Sequence, residues 1–194
     1  MLGANGPEPA AGHQASRLGD HDDLTVMGEG SIEPAPLPPP TPIGGGQVLA
    51  RVCAQGHPNP PERATCRVCD IDLAGAPQQI PQPIVGRAVL ASREVIELDR
   101  PVVFGREPQS KRGTTDGATA RLVALAGNHI SRNQVRLSPE GWQVYAVELR
   151  SKNGTLLHRF GEAPMRLPER PLLLKNHDVL DLGHGVLITL EGLP

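Results

Sequence analysis

The chain has 194 residues, with 21 acidic and 19 basic side chains, and only 2% of it is aromatic. A balance this near neutral does not demand a nucleic-acid partner. No apolar run approaches membrane-spanning length and no basic-then-apolar leader opens the chain, so it is expected to be soluble and cytoplasmic, one domain plus smaller pieces.

Residues 1–46 hold eight Pro, nine Gly, six acidic residues, the single basic residue Arg17 and no aromatic residue. Such a stretch cannot bury enough apolar surface to offset its ordering entropy, and it is expected to be a disordered tail. Asp20, Asp22 and Asp23 read there as solvated charge. Thr25 is the one tail threonine with acidic neighbours and flanking aliphatics, in His21-Asp22-Asp23-Leu24-Thr25-Val26-Met27, which makes it the candidate phosphosite. Its competitor Thr41 is followed directly by Pro42. The tail ends in Pro38-Pro39-Pro40-Thr41-Pro42-Ile43-Gly44-Gly45-Gly46, a stiff spacer and then a flexible joint.

Residues 47–73 form a compact cysteine module. Cys53-Ala54-Gln55-Gly56-His57 and Cys66-Arg67-Val68-Cys69 give C-x3-H, an eight-residue loop, and C-x2-C. Each short spacing brings two donors to one ion, so Cys53, His57, Cys66 and Cys69 are expected to hold structural zinc with no open coordination position. A redox Cys66/Cys69 pair is the alternative, but no helix start is at hand to lower a thiol pKa. A module of this size has almost no core, so metal binding would supply its folding free energy. The pattern resembles a bacterial zinc ribbon with a Gly-His-x-Asn-Pro-Pro loop. It is also similar to the Ran-binding-protein zinc fingers, with Asn59 separated by six residues from the third ligand.

Residues 74–85 read as a linker. From 86 to 194 short β-rich runs recur between turn residues: 88–91, 95–98, 102–104, 122–125, 135–137, 142–147, 155–158, 172–174, 179–181 and 186–190. Pro139-Glu140-Gly141 and Asn153-Gly154 are tight-turn signals. No useful helical period appears, so the expected class is all-β, a sandwich. With aromatic residues scarce, its core is expected to be Val, Leu and Ile. Trp142 and Tyr145 differ in pleat parity and should face opposite sides.

Within this stretch Val102-Val103-Phe104-Gly105-Arg106, Ser131-Arg132-Asn133-Gln134, Ser151-Lys152-Asn153-Gly154-Thr155 and Leu174-Lys175-Asn176-His177-Asp178-Val179 occur in a fixed order. Singly they are uninformative; Asn153-Gly154 alone is a hairpin turn in most proteins. In this order on an all-β pattern, residues 86–192 resemble the forkhead-associated (FHA) domain, a β-sandwich whose loops hold a phosphothreonine peptide. The resemblance implies that Arg106, Ser131 and Arg132 meet the phosphate and Asn153 the peptide backbone. Lys152 stands where many members carry Thr or Ser. A cation and several convergent donors are what a phosphothreonine dianion requires. Two positions depart from the family pattern. Gln134 replaces a loop-buttressing His, and His177 replaces a Gly before Asp178.

The sequence therefore points to a non-enzymatic adaptor that docks phosphothreonine proteins of a Ser/Thr protein kinase pathway, with phosphorylated Thr25 as a possible ligand of its own domain. Gly44-Gly45-Gly46 lacks the Lys-Ser/Thr of a P-loop, and no histidine forms a nucleophile motif. Two other readings stand beside this one. One is a nucleic-acid-binding or transcription-associated protein acting through Arg51, Arg63 and Arg67 of the zinc ribbon; the other is a structural interaction protein with a degenerate FHA site.

Overall fold

The computed structural model describes residues 46–109 and 120–194, and every regular element among them is a strand. A small three-stranded sheet comes first: β1 (Gln47–Val52), β2 (Pro58–Asn59) and β3 (Gln78–Pro81), in the order β2-β1-β3. Two larger sheets follow. One is six-stranded and antiparallel, built from β4 (Arg87–Leu90), β5 (Val95–Glu97), β10 (Leu156–His158), β11 (Met165–Arg166), β13 (Val179–Asp181) and β14 (Leu187–Glu191), in the order β11-β10-β13-β14-β4-β5. The other contains β6 (Val102–Gly105), β7 (Arg121–Ala124), β8 (Val135–Glu140), β9 (Gln143–Glu148) and β12 (Leu172–Leu173), in the order β12-β9-β8-β6-β7. Its β6–β7 pair is parallel.

Alternation decides which side of each strand is buried. Val144, Ala146 and Glu148 of β9 point inward, as do Ile188 and Leu190 of β14, while the residues between them stay partly or fully exposed. Phe104, Leu98, Ile130, Leu137, Leu157, Leu180 and Leu182 complete a core drawn from both large sheets. Burying one such side chain contributes about 1.5–3 kcal/mol. The ten expected strands are all present, so the fold is all-β, a sandwich. Trp142 packs against the core from one side of the pleat, and Tyr145 on the other side donates its hydroxyl to Gln143.

Three local features differ from the sequence expectation. The turn between β8 and β9 is Gly141-Trp142, with Gly141 at φ +60°, and Pro139 lies inside β8 opposite Val144. Proline is tolerated there because β6 pairs with β8 only as far as Leu137, leaving that edge without a ladder bond to lose. The Asn153-Gly154 turn is not a hairpin, since it carries the chain from β9 in one sheet to β10 in the other. Finally, β3 lies within the stretch read as a linker and pairs with β1 from Gln47↔Pro81 to Ala50↔Gln78. Gln-Gln-Ile-Pro carries no strand period of its own, and only the partner strand imposes one.

The small sheet has a separate core of Cys53, Cys66 and Leu73, with Cys69 packed against it. It meets the sandwich through hydrogen bonds from Arg67 Nη2 to the Gly192 carbonyl (2.8 Å), Trp142 Nε1 to the Leu49 carbonyl (2.9 Å) and Gln82 Nε2 to the Gly141 carbonyl (2.8 Å). Among the described residues no helix is long and apolar enough to cross a membrane.

Candidate functional site

Three loops converge at one end of the sandwich. The first follows β6, which ends at Gly105. A Cβ at that position would collide with the Arg132 carbonyl, so glycine is what lets the β6 end and the 130–134 loop touch. They are joined there by a hydrogen bond from the Arg106 N–H to the Ser131 carbonyl, 2.9 Å. The Arg106 guanidinium is 42% exposed and, among the described residues, meets only Glu107 in an ion pair, at 3.5 Å, so most of its donors remain available there.

The second loop carries Ser131 and Arg132 and is organised from beneath by Gln134. This side chain is fully buried. Its Oε1 accepts from the Ser131 N–H at 2.9 Å, and its Nε2 donates to the Gly154 carbonyl at 3.0 Å. Gln134 thus ties the second loop to the third through both ends of its amide. Asn133 adds a link to the first loop by accepting from the Gln109 N–H at 2.8 Å.

The third loop, 149–155, presents Lys152 and Asn153, both exposed. The Lys152 N–H donates to Ser131 Oγ at 2.9 Å, which leaves the serine O–H free to donate outward. Asn153 Nδ2 donates to the His129 carbonyl at 3.0 Å, so the amide is already oriented. Beneath the loop, buried Glu148 accepts from the Ser151 N–H at 2.7 Å. The structure therefore brings Arg106, Ser131, Arg132, Lys152 and Asn153 onto one rim. Thr25 lies outside the described residues.

Several residues at this rim went unread in the sequence. Glu148, Asn133 and His129 position the loops. The His129 ring stacks on that of His184, centroids 4.2 Å apart and tilted by 45°, and its Nε2 is buried without a hydrogen-bond partner among the described residues. Arg166 lies against the third loop, its Nη1 3.4 Å from the Asn153 carbonyl. No local motif marks any of these, because each acts across more than ten positions of sequence or through an unremarkable side chain.

Away from the rim, His177 has φ +67°, a left-handed conformation that a glycine would adopt without strain. Its turn is held by Asp178, which is 1% exposed and accepts from Arg159 Nε and Nη2 at 2.9 and 2.7 Å and from the Lys175 N–H at 2.8 Å. A cleft of about 810 Å³ separates the small sheet from the sandwich, bordered by Leu49, Glu62, Arg100, Arg136 and Trp142; none of the rim residues lines it.

In the small module the donor atoms of Cys53, His57, Cys66 and Cys69 all lie within 4.8 Å of one another. Cys53 Sγ is 3.5 Å from His57 Nδ1 and 3.8 Å from Cys69 Sγ, and Cys66 Sγ is 3.8 Å from His57 Nδ1. Metal–sulfur bonds of about 2.3 Å at tetrahedral angles place sulfurs about 3.8 Å apart, so the set fits one tetrahedral ion. Buried Asn59 clamps the two ligand turns, donating to the His57 carbonyl and accepting from the Arg67 N–H, both at 2.8 Å. Burial alone would push the Cys66 thiol up, but N–H groups of Val68 and Cys69 and the side chains of Asn59 and Cys69 bring it down to about 6. The Ile71 N–H draws the Cys69 thiol down, yet burial and the neighbouring Cys66 and Cys53 outweigh it and leave this thiol raised.

Residues 102–183 match the family model described as the FHA domain. No curated protein matches the chain. Among solved structures, the sandwich is similar to an FHA domain studied for phosphothreonine-dependent interactions (22% identity, 56% of this chain and 98% of that one, TM-score 0.38). It is also similar to the FHA domain of CT664 from Chlamydia trachomatis (23%, 54% and 96%, TM-score 0.39). A third is EmbR of Mycobacterium tuberculosis, in complex with a low-affinity phosphopeptide (18%, 54% and 24%, TM-score 0.39).

Proposed function

We propose that this chain is a phosphothreonine-dependent protein-binding adaptor of Ser/Thr kinase signalling, non-enzymatic and cytoplasmic. Arg106, Ser131, Arg132 and Lys152 take the phosphate and Asn153 takes the peptide backbone. The observation that carries this reading is the hydrogen-bonded chain Arg106–Ser131–Lys152 beside the oriented Asn153. It sets a hydroxyl donor among three exposed cations on a preformed rim. A dianion is gained there through charge-assisted bonds worth about 1.5–3 kcal/mol each, whereas an unphosphorylated threonine offers those cations nothing.

The Cys53/His57/Cys66/Cys69 cluster holds one structural zinc in this reading, the module being a zinc ribbon of residues 47–73 ahead of an FHA domain of residues 86–194. The acidic tail of residues 1–46 supplies a tethered ligand once Thr25 is phosphorylated. The competing nucleic-acid reading rests on Arg51, Arg63 and Arg67. All three donate hydrogen bonds inside the chain, to the carbonyls of Leu73, Thr65 and Gly192, which weighs against it.

Calorimetry with a phosphothreonine peptide library and its unphosphorylated twin tests the proposal. Preference for the phosphorylated pool is expected, and equal affinity for both pools would defeat it.

A further inference from the structure

Arg166 closes the two-residue edge strand β11, where it pairs with Leu156, and its side chain is exposed. Two observations tie it to the peptide rim. Its Nη1 lies 3.4 Å from the Asn153 carbonyl, too long for a strong bond. Its guanidinium also occupies the space that a Cβ on Gly154 would need. Gly154 itself has φ +77°, so this glycine serves both the turn and the seat of the arginine.

The charge around Arg166 is unbalanced. Arg87, Arg100, Arg121, Arg150 and Arg159 each have a carboxylate partner within 3.5 Å. Arg166 has none among the described residues. Its five N–H donors form a planar fork matched to a carboxylate or phosphate. One weak contact to a carbonyl leaves that fork almost unused. Arg166 touches the Asn153 carbonyl, and the adjacent Lys152 N–H donates to Ser131 Oγ, so the guanidinium lies beside the rim residues.

We propose that Arg166 forms a second anion subsite beside the phosphothreonine pocket, reading an anionic side chain in the residues flanking the phosphothreonine. The inference rests on the phosphothreonine reading above and adds a preference to it. The ligand chemistry is an oxyanion, supplied by Asp or Glu or by a second phosphorylated residue. Being exposed and rimward, the subsite should give a modest gain that salt screens.

The test uses the full chain and a phosphothreonine peptide with alanine flanks. A single Glu, and in a second series a single phosphoserine, is moved along the three positions on either side. One or two adjacent positions should raise affinity about three- to fivefold with Glu, and more with phosphoserine. Arg166→Gln should erase the gain while leaving affinity for the alanine-flanked peptide unchanged, which also reports an intact fold. Arg166→Lys should retain part of it. Gains only in the phosphoserine series would assign the subsite to doubly phosphorylated ligands. No position favouring an anion, or a gain that survives Arg166→Gln, would overturn the subsite alone. Failure of the alanine-flanked phosphopeptide to outbind its unphosphorylated twin would remove the pocket reading and the subsite together.

Discussion

Gln134 and Ser131 are joined by a 2.9 Å hydrogen bond from the serine N–H to the glutamine Oε1. That bond fixes the serine's backbone in its loop, while the Lys152 N–H holds its hydroxyl oxygen. The same glutamine reaches the Gly154 carbonyl at 3.0 Å, so one buried amide sets the spacing of two loops. Gln134→Ala should leave both groups without a buried partner, destabilising the fold by about 1–3 kcal/mol. Phosphopeptide affinity should fall with it, although Gln134 sits beneath the rim. Chemical denaturation and calorimetry check the two effects; an unchanged denaturation midpoint with normal binding would contradict the buttress role.

Arg106→Ala should weaken phosphopeptide binding by about 1.5–3 kcal/mol, and Ser131→Ala by somewhat less, in line with losing a charge-assisted or a neutral bond. Neither should lower stability by more than about 0.5 kcal/mol, because the Arg106 guanidinium is 42% exposed and its only ion pair among the described residues is the 3.5 Å contact with Glu107. Isothermal titration paired with thermal melting separates these outcomes. A large melting shift would mean that the arginine holds the loop and not the ligand.

One zinc per chain is expected by elemental analysis of protein purified without chelator, and a metal-free product would reject the site. Cys66→Ser should unfold residues 47–73 and leave the sandwich folded, because Cys53, Cys66 and Leu73 share no core with the large sheets. The loss reaches the sandwich only through contacts such as the Arg67–Gly192 hydrogen bond, and its melting should shift slightly. Hydrogen exchange resolves the two modules.

Phosphorylation of Thr25 should make the tail compete for Arg106, Ser131 and Arg132. The roughly 21 residues between Thr25 and β1 would give, as a flexible tether, a reach of roughly 25 Å and an effective concentration near 1 mM. Against an intrinsic affinity of about 10 µM, this ratio of about 100 would leave the site about 99% self-occupied. A labelled external phosphopeptide should then bind far more weakly to the phosphorylated chain than to Thr25→Ala. Equal affinity would show that the tail is not an intramolecular ligand.

Much of the fold was legible because it depends on short-range regularities. Alternation in segments such as Gln143–Glu148 and Leu187–Glu191 announces strands that bury one face. The order of Gly105-Arg106, Ser131-Arg132 and Lys152-Asn153 announces the rim, since each pair occupies adjacent positions in a loop. The four metal donors were likewise visible, because two short spacings suffice to define them. What the sequence could not reveal depends on residues distant along the chain meeting in space. β3 is a strand only because β1 lies beside it. Pro139 sits inside β8 only because β6 stops short of it. Arg166 reaches the third loop only because β11 folds back to pair with β10. Residue type and spacing determine which side chains can bind an anion; the packing of the sheets determines which of them face it together.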